Sequence, residues 1–180
     1  RVGFFEVEHS IMDAVGVIIN TPQGTIIHPG DWTMEKNPVG GEPLTYHHLA
    51  KLPKPKILML ESLGAVNTSP RVISEKEMYA NLEKLISQAK GKIIIGTFAS
   101  QIKRINYLLE YAKRIGKKVA LDGYSMKMNV EIAKELGYIK VGGGAIIPIN
   151  SINKYPEEKI IIICTGAQGE SNASLMRIAN

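Results

Sequence analysis

The stretch Lys92-Ile93-Ile94-Ile95-Gly96-Thr97-Phe98-Ala99-Ser100, continuing through Ile102, Ile105, Leu108, Leu109 and Ala112 to Gly116 and then Lys118-Val119-Ala120-Leu121-Asp122, decides the fold. Two short runs, Lys92–Thr97 and Lys118–Asp122, read as buried strands. Between them the apolar residues recur at helical spacing. Ser100 stands where a helix N-cap belongs, and Gly116 where a helix stops. Strands without polar alternation, joined by a capped helix, predict a parallel sheet covered on both faces.

The same unit recurs on either side. Upstream, Ser74-Glu75-Lys76-Glu77 has the form of a capping box. Met78, Leu82, Leu85, Ile86 and Ala89 follow at helical spacing, and Gly91 ends the helix. Downstream, Ser125 is expected to cap a third helix that runs through Leu136 and closes at Gly137. Ile146–Ile149 and Ile160–Cys164 are further short strands, and residues 173–179 form a last helix.

Residues 1–36 read differently. Val15–Asn20 and Thr25–His28 flank Thr21-Pro22-Gln23-Gly24, which predicts an antiparallel hairpin preceded by an alternating segment over 1–9. A loop over 37–43, a short helix over 44–52, a strand Ile57–Leu60 and a polar loop over 61–71 complete this part.

Composition narrows the class. In 180 residues, 44% are apolar and 22% charged, as in globular proteins. No apolar run approaches the about 20 residues that span a bilayer. The single cysteine, Cys164, lies in an apolar run, so an internal disulfide is ruled out and a cytoplasmic setting is expected. The chain opens Arg1-Val2-Gly3 inside an apparent strand, which reads as a piece of a longer protein. Formal net charge is +5, with a pI near 9.2. Such a balance suits a polyanionic partner, although many of the lysines would also fit solvated helix faces.

Several clusters could carry chemistry. His9-Ser10-Ile11-Met12-Asp13 and His28-Pro29-Gly30-Asp31 each follow a β-prone run. Imidazole and carboxylate are usual zinc ligands, and carboxylates also suit manganese. On spacing alone two readings of His9 and Asp31 stand, a metal pair or ordinary strand-end residues, and spacing favours the second. Asp13 either fixes His9 or caps the turn. His28 has a ligand role open to it, though packing or bonding locally is favoured, and His47 and His48 are a poor pair because adjacent helical positions diverge. Glu61 after its strand either orients a histidine from elsewhere or is a plain loop carboxylate. Thr165-Gly166-Ala167-Gln168-Gly169-Glu170-Ser171 links a strand to a helix, and its amides would favour an anionic oxygen. An ordinary turn fits as well. Gly142-Gly143-Gly144 reads as a bend. Ser100 and Ser125 fall at the carboxyl ends of strands, the binding edge of an open parallel sheet, and have both capping and phosphate contact open to them.

Taken in order, His9 to Asp13, His28 to Asp31, Gly41-Glu42-Pro43, Thr97-Phe98-Ala99-Ser100, the stretch from Ser125 through Asn129-Val130-Glu131-Ile132 to Gly137, and Thr165 to Glu170 resemble the ribonuclease J group of the metallo-β-lactamase/β-CASP family. The resemblance covers nearly the whole chain. It implies an α/β fold in two parts: residues 1–73 as the end of a metallo-β-lactamase (αββα) half, and 74–180 as an incomplete β-CASP domain with a Rossmann-like parallel sheet flanked by helices.

The resemblance also implies the chemistry. His9 matches a ligand of one metal ion, Asp31 a carboxylate bridging two, and Glu61 the first acidic β-CASP motif. Ser100, Ser125, Thr165, Gly166, Gln168, Gly169 and Glu170 would meet substrate. The expected activity is RNA hydrolysis, as a 5′-to-3′ exonuclease preferring a 5′-monophosphate and as an endonuclease. Two divalent ions (zinc, or manganese or magnesium) and a homo-oligomer are expected of the full-length protein. The family's His-x-His-x-Asp-His motif would precede Arg1 and its later histidine motifs would follow Asn180, so this piece alone is expected to be inactive and not to retain the ions. The sequence departs from the family at Met12, Pro29, Ser62-Leu63-Gly64 and Ser171. Two other readings remain: a Rossmann-like nucleotide or phosphate module centred on Thr165–Ser171, and an inactive RNA-binding scaffold.

Overall fold

A computed structural model describes residues 1–35, 38, 39, 41–63, 65, 66, 73–142 and 144–179. Its contacts cluster into two units, Arg1–Leu82 and Glu83–Asn180. The expected bend at Gly142–Gly144 includes Gly143, and the loops over 37–43 and 61–71 include further positions, that lie outside the described residues.

The first unit is a four-stranded sheet in the order β1-β2-β3-β4, with β1 Val2–Glu6, β2 Val15–Thr21, β3 Gly24–His28 and β4 Lys56–Leu58. The hairpin forms as expected: β2 and β3 pair antiparallel, with Thr21 opposite Gly24. Thr21 Oγ1 closes the turn by donating to the Gly24 carbonyl and accepting from the Gln23 amide. β4 joins parallel to β3, with Ile27 opposite Leu58. On one face Phe5, Val7, Ile18 and Ile27 pack with Trp32, Tyr46, Leu49 and Leu52. The end of the Phe5 ring packs against Gly16, where a Cβ would come within 2.3 Å of it. The other face is apolar too. Val2, Ile19, Ile26 and Ile57 lie in one cross-strand row, and Val2, Ile19 and Ile57 are exposed.

The expected helix over 44–52 shrinks to a 3-10 turn, His47–Lys51. Leu52 is forced extended (ψ 155°) because it precedes Pro53.

Helix α1, Glu75–Gln88, runs across the boundary between the units. Its cap is the expected one: Ser74 Oγ accepts from the Glu77 amide at 3.2 Å. The buried positions differ from expectation. Leu85 is 66% exposed, while Tyr79 and Ile86, a heptad apart, are the buried pair.

The second unit is an all-parallel sheet in the order β5-β8-β6-β7, with β5 Ile93–Gly96, β6 Lys118–Asp122, β7 Ile146–Ile147 and β8 Ile160–Cys164. The last strand in sequence enters between β5 and β6, and all five of its residues are buried. α2, Ile102–Arg114, buries every residue its spacing named, and Tyr111 as well. α3 is Tyr124–Glu135 and α4 is Ser174–Ala179.

Both expected serine caps are corrected. The N-cap of α2 is Gln101, with Ser100 in the turn before it. The N-cap of α3 is Gly123 at φ 107°, and Ser125 is already inside the first helical turn. A Cβ at Gly123 would approach Thr165 Oγ1 to 2.7 Å, so close strand packing, not an oxygen cap, starts this helix. β7 stops at Ile147, two residues early, because Pro148 cannot donate to the ladder and a 3-10 turn begins at Ile149.

Candidate functional site

Strand direction gathers three of the expected site residues. β1 and β3 both run antiparallel to β2, and β4 runs parallel to β3, so β1, β3 and β4 leave the sheet at the same edge. His9 lies three residues past β1 (9 − 6), Asp31 three past β3 (31 − 28) and Glu61 three past β4 (61 − 58). Local bonds hold each segment. The Val7 amide donates to the Ala14 carbonyl at 3.0 Å, closing the loop that carries His9. Within it Asp13 adopts φ 55°, a left-handed conformation that Asp tolerates better than most residues. An isolated bridge then ties the His9 and Asp31 segments: the Thr33 amide donates to the Glu8 carbonyl at 2.7 Å.

The side chains themselves are only partly committed. His9 Nδ1 lies 3.5 Å from Ser10 Oγ. His28 bonds locally, as expected, with Nδ1 accepting from the Gly30 amide at 3.0 Å. Glu61 accepts from the Leu63 amide within its own loop. Asp31 and Glu61 are exposed and His9 is half-buried. An imidazole and two carboxylates are the right donors for a divalent ion. Their number is the difficulty: among the described residues no group of three or more His, Cys, Asp or Glu could hold a metal. The donor chemistry of this edge fits an ion; the donor count among the described residues does not.

The second unit gathers the remaining candidates at the carboxyl edge of its parallel sheet. Cys164 stands between Gly96 and Asp122, so Thr97, Thr165 and Gly123 follow side by side. Ser100 lies four residues beyond β5 (100 − 96). Thr97 is 3% exposed, and its Oγ1 has no hydrogen-bond partner among the described residues. Gly166, at φ 116°, is pressed against α4, where a Cβ would meet Leu175 Cβ at 2.8 Å. The 165–170 loop satisfies part of its own polarity. The Gly169 amide donates to the Gly166 carbonyl at 3.0 Å, and the Gln168 amide to Glu170 Oε2 at 3.2 Å. Gln168, Gly169, Glu170 and Ser125 are exposed, and Thr165 is half-buried.

Asp122 is the residue the sequence reading passed over. Its carboxylate ends β6 and faces two cations, Lys127 Nζ and Arg177 Nη2, each at 3.7 Å. Arg177 also donates to Ser174 Oγ and to the Asn172 carbonyl, both at 2.9 Å. The only sequence signal was an acid at a strand end, with no hint of the arginine 55 residues later (177 − 122). Beneath it, burial pushes the Cys164 thiol pKa up, and the Asp122 charge adds to that. The thiol stays neutral in its apolar strand.

Comparison with known proteins adds the family context. A family model for the β-CASP domain of ribonuclease J matches residues 90–180. Ribonuclease J of Mycoplasma pneumoniae is 38% identical over 181 residues, covering 99% of this chain and 32% of that protein. Ribonuclease J 1 of Streptococcus pyogenes serotype M3 is 39% identical, covering 99% and 32%. Ribonuclease J of Helicobacter pylori J99 is 34% identical, covering 99% and 26%. The chain therefore spans about a third or less of the length of these relatives. Among solved structures, a protein of unknown function from Enterococcus faecalis V583 shares the fold, with a TM-score of 0.60 over 90% of this chain and 40% of that one, at 16% identity.

Proposed function

The chain belongs to the ribonuclease J family, with residues 90–180 as its β-CASP domain, and from that premise we propose that it is part of a metal-dependent ribonuclease that hydrolyses RNA phosphodiester bonds. The observation that carries this reading is the 38% identity to a ribonuclease J across 99% of the chain. The reading includes 5′-to-3′ exonuclease action preferring a 5′-monophosphate, endonuclease action, a homo-oligomer and a cytoplasmic setting.

In this reading the first unit belongs to a metallo-β-lactamase half. Its sheet supports that assignment: an apolar row including Val2, Ile19 and Ile57 faces outward opposite a packed core, which calls for another layer. His9 and Asp31 each give a donor toward two divalent ions, and the rest of the set comes from elsewhere in the longer polypeptide. Bound there, the ions would activate a water and offset charge on the phosphate. Glu61 accepts from an imidazole and orients it. Ser100, Ser125, Thr165 and Gln168 present hydroxyl and amide groups to phosphate oxygens along the sheet edge, with Gly166 and Gly169 allowing close backbone approach. The formal charge of +5 favours the same polyanion.

The test is His9→Ala and Asp31→Ala in the full-length polypeptide, assayed on 5′-monophosphorylated RNA and for bound metal. Loss of a group that merely orients a ligand costs about 10- to 100-fold, so loss of a ligand should cost at least that, with fewer ions retained and an unchanged circular dichroism spectrum. Unchanged rates in both variants would end the ligand assignment.

A further inference from the structure

We propose that the cavity between α3 and the segment after β7 is a nucleobase pocket, a subsite for one base of the RNA strand. The proposal rests on the RNA reading above. The cavity holds about 550 Å³ and is lined by Leu121, Ile146, Pro148, Lys127, Glu131 and Asn150, among others. That volume suits a small organic group, and the lining has the usual character of such a site, apolar walls with a few convergent polar groups.

Three features select a base. The first is position. The cavity lies where β6 and β7 end, at the carboxyl edge that also carries Thr97, Gly123 and Thr165. A strand held by its phosphates along that edge reaches the cavity without leaving the sheet. The second is the face of α3. Tyr124, Lys127 and Glu131 stand at i, i+3 and i+7, so they share one side of the helix. Tyr124 is 80% exposed, one turn from the mouth, with its ring free for a base to stack on. The third is the polar set. Asn150 carries an amide donor and a carbonyl acceptor, the combination that reads a base edge. Its side-chain oxygen accepts from Ser151 Oγ at 3.5 Å, and among the described residues its amide nitrogen has no hydrogen-bond partner. Glu131 lines the cavity and pairs with Lys134 at 2.8 Å, and a carboxylate is an acceptor suited to an exocyclic amine. Lys127, already leaning on Asp122, sits between cavity and strand edge, where a ribose-linked phosphate would pass.

The experiment is fluorescence anisotropy on the full-length polypeptide. Two probes are used: a short labelled phosphorothioate oligoadenylate, and the same backbone with its bases removed. The variants are Tyr124→Ala and Asn150→Ala, both at exposed positions. Each should weaken binding of the intact probe by about 5- to 100-fold, and leave binding of the base-free backbone unchanged. Equal weakening on both probes would assign these residues to the phosphate track and overturn the pocket. Full affinity in both variants would overturn the pocket and leave the RNA reading standing. Failure of the unsubstituted polypeptide to bind either probe would overturn both.

Discussion

Asp122 and Arg177 meet at 3.7 Å across the carboxyl edge of the parallel sheet, joining the end of β6 to α4. Arg177 also holds the Asn172 carbonyl and Ser174 Oγ, so one guanidinium ties the chain after the 165–170 loop to the strand beside it. A planar fork with several donors suits this better than an ammonium would. Partly exposed ion pairs contribute only about 0–1 kcal/mol, so the value of this one lies in position. Arg177→Lys should shift the melting temperature little, yet speed amide exchange of Gln168 and Gly169 in hydrogen-exchange mass spectrometry. Unaltered exchange would show that the loop is held without it.

Gly166 offers a sharper test of the same loop. Its φ of 116° and the approach of Leu175 leave no room for a side chain. Gly→Ala stabilises by about 0.4–1 kcal/mol where the backbone suits it and destabilises by more than that where φ is positive, so Gly166→Ala should cost more than about 1 kcal/mol, read from urea unfolding followed at the second unit. A neutral result would mean that α4 can swing away from β8 without loss.

Ile163 in the central strand is fully buried. Ile163→Ala removes packing on a strand that the sheet surrounds on both sides, and should cost about 2–5 kcal/mol. A loss below that range in chemical denaturation would mean that the sheet collapses around the gap.

Acid should loosen the second unit through Glu83. Tyr107 and Arg114 both donate to its Oε1 at 2.5 Å. The Tyr107 hydrogen bond is the main cause that holds its carboxyl below the usual range; desolvation opposes it, and the Arg114 hydrogen bond and charge add to the lowering. A depressed folded-state value means that the stabilisation is present above the ordinary carboxylate value and is lost as pH falls through the folded one. Glu83→Gln should therefore flatten the acid limb of stability against pH below about 4.5. An acid limb as steep as that of the unsubstituted chain would exclude Glu83 as its source.

Metal content gives a fifth test. The 180-residue chain brings His9 and Asp31 to one edge, but no group of three donors that could hold an ion among its described residues. Purified alone, it should retain fewer than two ions per chain by plasma mass spectrometry. Two tightly held ions would show that this edge completes a site without the rest of the polypeptide.

Local chemistry made much of the fold legible in the sequence. Helical spacing placed Ile105, Leu108 and Leu109 in the core of α2, because a periodic apolar stripe has one way to be buried. Thr21-Pro22-Gln23-Gly24 named its own hairpin through turn geometry. The caps at Ser100 and Ser125 were misread because Ser favours an N-cap only where the backbone turns at that residue. At α3 the turn came at Gly123, set by how closely Thr165 packs against it. Leu85 and Tyr79 exchanged roles because which side of α1 is covered depends on what the chain packs against it, which spacing alone does not specify.

The candidate site divides the same way. Residue types and order in the sequence by itself determined the family resemblance and named His9, Asp31 and Glu61, since donor chemistry is a property of side chains. Only the tertiary structure decided that these three leave parallel-running strands at one edge, that β8 enters between β5 and β6, and that Asp122 finds Lys127 and Arg177. Those outcomes depend on strand order and direction, which arise from pairing between segments far apart in the chain and leave no local pattern to read.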